Sequence, residues 1–138
     1  MPTEAKILGF LGLIPFVALP LFVLTGILAY FESYLYFVQY SAIILSFFGG
    51  IHWFAALANN GPKHQLYMAM LPSIVAWLSL IMLDGEMLLS TLSIAYIGVL
   101  IYDKYTIVME KHKIIEYISL RMVLTSIVVL CHLTMAFI

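Results

Sequence analysis

The stretch Tyr34–Ala58, YLYFVQYSAIILSFFGGIHWFAALA, decides how this chain is read. Its 25 residues carry no formally charged side chain. At 1.5 Å per residue one helix of this length crosses a bilayer core of about 30 Å. Gln39, Ser46, Gly49, Gly50, His52 and Trp53 interrupt its apolar character. A purely apolar anchor needs none of them.

Four further apolar runs surround this one. They cover residues 7–30, 65–83, 87–109 and 114–138, and the central run covers 34–58. The separators are Glu32-Ser33, the turn Asn59 to His64, Asp84-Gly85-Glu86, and Glu110 to Lys113. Asn59-Asn60-Gly61-Pro62 is turn chemistry, with positive φ open to Asn and Gly and no N–H on Pro. The runs lack strand alternation and are about twice a barrel strand's length, which argues against a β-barrel. Helices satisfy every backbone group internally, as lipid requires. The expected fold is therefore all-α, a single domain of five transmembrane helices.

Composition agrees. Of 138 residues, 64% are hydrophobic and 9% charged, and mean hydropathy is +1.11. Soluble domains carry roughly 25% charged residues. A net charge of −1 argues against nucleic-acid binding, which needs a basic patch at the phosphates. Cys131 is the single cysteine, so no internal disulfide forms. The first run is longer than the apolar part of a signal peptide, roughly 7–15 residues, and no small-x-small site follows. It is expected to stay as a span.

Charge sets the expected orientation. With five crossings, Lys6, Lys63, Lys104, Lys111, Lys113 and Arg121 all fall towards one side, while Glu32, Asp84 and Glu86 lie on the other. The positive-inside rule then puts the N-terminus in the cytoplasm, or the matrix of an organelle, and the C-terminus outside. The expected location is a bacterial inner membrane, or the mitochondrial inner membrane in a eukaryote.

Several residues inside the spans ask for a reason. Pro15, Pro20 and Pro72 each remove a backbone hydrogen bond and are expected to kink their helices. Ser46 and Gly50 form a small-xxx-small pair that Gly49 widens, a surface suited to close helix packing. His52, Asp103 and Arg121 are ionisable and fall at comparable depth, each near the basic end of its helix by helical rise. A charge in the bilayer usually faces the bundle interior and a partner. Asp103 is the expected partner of Arg121, with Glu116 second. The three residues make a candidate polar intramembrane site.

Metal and catalytic signatures are missing. His132 lies about 27 Å from the inner start of its helix and His52 about 9 Å from the inner end of its own, so one haem cannot join them. No grouped metal ligands, HExxH, GxSxG or phosphate loop occurs. No catalytic residue, metal or cofactor is assigned.

The piece Leu45–Trp53, LSFFGGIHW, resembles a family of small bacterial inner-membrane proteins known as domain of unknown function 3429, related to mitochondrial transmembrane protein 69. Gly9–Phe16, Tyr40, Leu71–Trp77, Asp103, and Arg121 with Thr125 extend the resemblance over most of the chain. Phe54 departs from the family's frequent glycine. The resemblance implies a five-helix membrane protein without an assigned activity. Short loops leave no room for a soluble catalytic domain. The leading expectation is a non-enzymatic accessory or assembly component of a larger membrane complex, with lipid, other subunits or a second copy as partners. The alternative is a protein that binds a quinone or lipid, or handles protons, through the polar site.

Overall fold

The computed structural model describes residues 3–107 and 110–138. Six helices follow in order: α1 Thr3–Leu11, α2 Ile14–Leu24, α3 Tyr30–Ala58, α4 Lys63–Met82, α5 Gly85–Thr106 and α6 Lys111–Phe137. The first two form one broken span, so five segments are long and apolar enough to cross a membrane. No strand occurs among the described residues.

The break between α1 and α2 has a local cause. Pro15 offers no N–H to the Leu11 carbonyl, so α1 stops there and the Leu13 amide turns back to the Phe10 carbonyl at 3.0 Å. Pro15 then sits in the first turn of α2, where a missing donor costs little. Pro20 and Pro72 are buried inside the continuous helices α2 and α4. The Tyr40 hydroxyl donates to the Gly12 carbonyl at the break, at 2.7 Å.

The first span ends at Leu24, short of the expected Tyr30. Gly26, at φ +80°, closes it: the Gly26 amide bonds the Val23 carbonyl and the Ile27 amide bonds the Phe22 carbonyl. This is the left-handed helix stop that glycine adopts without steric cost. Tyr30 to Ser33 consequently belong to the start of α3. The last turn of α5 ends at Thr106; the expected continuation to Met109 falls partly outside the described residues.

α3 is the hub. It packs closely on α4, and the buried positions of α4, Gln65, Ala69, Pro72, Ala76 and Ser79, recur at the three-and-four spacing of a helix seam. Opposite them Gly49 has no room for a side chain: a Cβ there would lie 2.4 Å from the Ala69 carbonyl oxygen. Gly50 does not share this contact. It is exposed, and a Cβ on it would meet nothing within 4 Å, because one residue turns the helix by about 100°. Ser46 is half-buried and bonds the Ala42 carbonyl of its own helix at 3.0 Å. Close packing thus rests on Gly49 rather than on the Ser46–Gly50 pair.

The molecule is inverted relative to a water-soluble domain. Phe54 is 72% exposed and Ile94 70%, while Ser33, Ser41, His52, Gln65, Asp103, Arg121 and His132 are buried. Apolar outside and polar inside is what a hydrocarbon solvent selects. Phe16, Phe37, Leu45, Leu92 and Tyr96 form the centre of the core.

Candidate functional site

His52 lies near the end of α3, Gln65 near the start of α4, Asp103 near the end of α5 and Arg121 in the first half of α6. Antiparallel connections bring these four places to one end of the bundle. It is the end bearing Lys63, Lys104, Lys111 and Lys113, at or beside the helix termini there.

The four side chains form a continuous polar chain. Gln65 Nε2 lies 3.0 Å from His52 Nδ1. His52 Nε2 meets Asp103 Oδ1. Arg121 Nε donates to Asp103 Oδ2 at 2.9 Å. With the Gln65 amide donating to Nδ1, the ring proton sits on Nε2 and is given to the carboxylate. Exposures are 2% for His52 and Gln65, 1% for Asp103 and 3% for Arg121. The carboxylate supplies the counter-charge that a buried guanidinium needs. Glu116 is on the exposed side of α6, and Asp103 is the carboxylate that Arg121 contacts.

The rest of the guanidinium is held less completely. Nη1 reaches Thr125 Oγ1 at 3.4 Å, a long contact. The group lies over the Phe48 ring, its Cζ 3.7 Å from the centroid, in cation–π range. Nη2 is buried and has no hydrogen-bond partner among the described residues. The Tyr117 hydroxyl is buried beside the guanidinium, yet the two miss hydrogen-bond geometry.

Arg121 and Tyr117 both stand in the wall of a half-open cleft of about 470 Å³ between α1, α3 and α6. Leu8, Gly9, Ile51, Leu120 and Leu124 belong to the same wall, which is otherwise nearly all apolar. Tyr102 covers the other flank of the site. Its ring lies 4.9 Å from that of His52, and its hydroxyl meets His64 Nδ1 at 2.7 Å.

A second polar centre lies further along α3. Ser41 Oγ meets His132 Nε2 at 2.7 Å, and His132 Nδ1 donates to the Val128 carbonyl at 2.7 Å. The Tyr96 hydroxyl donates to the Ser41 carbonyl at 2.5 Å. Both ring nitrogens of His132 are thus satisfied, and Phe16 and Phe37 enclose the ring. His52 and His132 belong to separate centres. No group of three or more His, Cys, Asp or Glu suited to a metal occurs among the described residues.

Sequence reasoning passed over Gln65, Phe48, Tyr102 and Tyr117. Gln65 reads as a span boundary, and only its place at the same end as His52 hints at a partner. The aromatic residues carry no signal that separates them from ordinary core.

Comparison with known proteins agrees with a membrane protein. The chain is 35% identical over 105 residues to a protein called transmembrane protein 69 from Xenopus tropicalis. The match covers 73% of this chain and 42% of that protein, so the chain spans less than half of its relative's length. No solved structure matches. Residues 1–137 match the family described as protein of unknown function DUF3429, and the chain belongs to that family.

Proposed function

We propose that this membrane protein binds a single amphiphilic, lipid-soluble molecule in the cleft between α1, α3 and α6. The observation that carries the reading is Arg121, which stands in the wall of an apolar cleft and whose Nη2 is buried without a partner among the described residues. A buried, unsatisfied donor on a charged group is costly. An oxygen from an occupant relieves that cost while its chain fills the apolar walls. Ligand sites commonly combine apolar walls with a few placed polar groups. Asp103 and His52 act as positioning residues, holding the guanidinium where one edge stays free.

The test is native mass spectrometry of protein released from membranes in mild detergent. A retained small amphiphile is expected on the wild type and lost in Leu120→Trp, which fills the cleft. A wild type that carries nothing, and takes up nothing from added lipid extract, overturns the reading.

Orientation follows the charges in this proposal. The lysine-bearing end faces the cytoplasm or matrix, the N-terminus lies on that side and the C-terminus outside, in a bacterial or mitochondrial inner membrane. A second reading is the accessory or assembly role. It is favoured by Gly50 and Gly98, where a Cβ would meet nothing within 4 Å, so that another helix has room to approach. Mass measurement in mild detergent tests it. A strict monomer with no co-purifying subunit counts against it.

A further inference from the structure

We infer that the occupant presents an uncharged carbonyl oxygen, from a quinone or an ester, to Arg121 Nη2 and the Tyr117 hydroxyl. The inference rests on the proposed occupancy of the cleft and specifies its polar head.

Two donors meet at this point of the wall. Nη2 carries N–H groups with no acceptor among the described residues, and the Tyr117 O–H, beside the same guanidinium, likewise has no partner among them. Both residues line the cleft. A carbonyl oxygen has two lone pairs and no proton, so it accepts from both at once.

Charge then selects among oxygen acceptors. The Arg121 charge is already matched by Asp103, through the 2.9 Å bond from Nε to Oδ2. Arg121 is the one Lys or Arg among the described residues of the wall. A carboxylate or phosphate would bring a second negative charge into the layer that holds Asp103, with no second Lys or Arg among the described residues of the wall to meet it. Burying a charge without a partner is far more costly than burying a neutral acceptor. The local demand is therefore for a hydrogen-bond acceptor of zero net charge. The walls around it, Phe48, Leu120 and Leu124 among them, suit a hydrocarbon tail or a ring.

The experiment measures binding of four probes to the full chain in nanodiscs of saturated ether lipid, which has no ester carbonyl to compete. The probes are decyl-benzoquinone, methyl oleate, oleate at pH 9, and octadecene as a tail without a head. Methyl oleate or the quinone is expected to bind at least about tenfold more tightly than oleate and than octadecene, and comparing the two identifies the source of the carbonyl. Tyr117→Phe, which keeps the ring, is expected to weaken the favoured carbonyl probe by about three- to tenfold and to leave octadecene unchanged. Equal or tighter binding of oleate, or no response to Tyr117→Phe, overturns the carbonyl assignment and leaves the cleft reading standing. Failure of all four probes to bind overturns the cleft reading and the inference together.

Discussion

Arg121 on α6 places its Nε 2.9 Å from Asp103 Oδ2 on α5, and both side chains are almost wholly buried. The same carboxylate receives His52 from α3 through its other oxygen. One aspartate therefore ties three helices.

The first prediction follows from that tie. Removing one member of a buried ion pair leaves an uncompensated charge and typically costs about 3–5 kcal/mol, whereas replacing both members is often nearly neutral. Arg121→Leu alone should therefore lower the thermal midpoint in detergent sharply. Arg121→Leu combined with Asp103→Asn should recover most of the loss, since no formal charge then remains in the layer. Equal loss in the single and double variants would mean that the pair contributes through packing and not through charge.

A shared depth for His52, Asp103 and Arg121 could be read from the sequence, because helical rise is a fixed 1.5 Å per residue and lipid fixes where helices begin; which of them touch could not. The number of spans was legible for the same reason. What could not be read was rotation about each helix axis. Gly49 and Gly50 are equivalent in composition, and only the path of α4 makes one a contact and the other an exposed position. Gly26 similarly looks like a breaker within a span, and its positive φ makes it the end of one. Gln65 sits where a boundary residue would sit, so its bond to His52 is visible only once α3 and α4 are packed. His132 could be placed in a different layer from His52, but its partner Ser41 gave no sign among the other small polar residues.

A second prediction separates the two neighbouring glycines. A Cβ on Gly49 would lie 2.4 Å from the backbone carbonyl oxygen of Ala69, and backbone cannot rotate away. Gly49→Ala must push α3 and α4 apart, and overpacking of this kind typically costs about 1–3 kcal/mol. Gly50→Ala meets nothing within 4 Å. Its effect should stay within about 0.5 kcal/mol, as for a surface substitution. Thermal melts of the two variants under one set of conditions check the contrast, and similar midpoints would contradict the packing assigned to Gly49.

A third prediction concerns the second polar centre. His132 gives its Nδ1 proton to the Val128 carbonyl, so Nε2 is left to accept from the Ser41 hydroxyl. Ser41→Ala leaves that buried nitrogen without a donor, at a cost of about 1–3 kcal/mol. Substituting His132→Leu in the same chain removes the orphaned acceptor. The double variant should therefore be less destabilised than the sum of the single variants. Strict additivity would show that the hydroxyl and the ring do not share a hydrogen bond.

The last prediction tests the orientation on which the proposed cytoplasmic leaflet depends. Lys63 opens α4, Lys104 stands in the last turn of α5 and Lys111 opens α6, so these cations share one end of the bundle. Asp84 and Glu86 flank the opposite end, at the start of α5. Because basic loops are retained on the cytoplasmic side, the lysine end should be shielded from outside reagents. In a Cys131→Ser background, Glu86→Cys should react with an impermeant maleimide in intact bacteria. Lys113→Cys should react only after the membrane is opened. The opposite pattern would place the His52–Asp103–Arg121 centre in the outer leaflet. Its cleft would then draw on a different lipid population, while every distance within the site would stay the same.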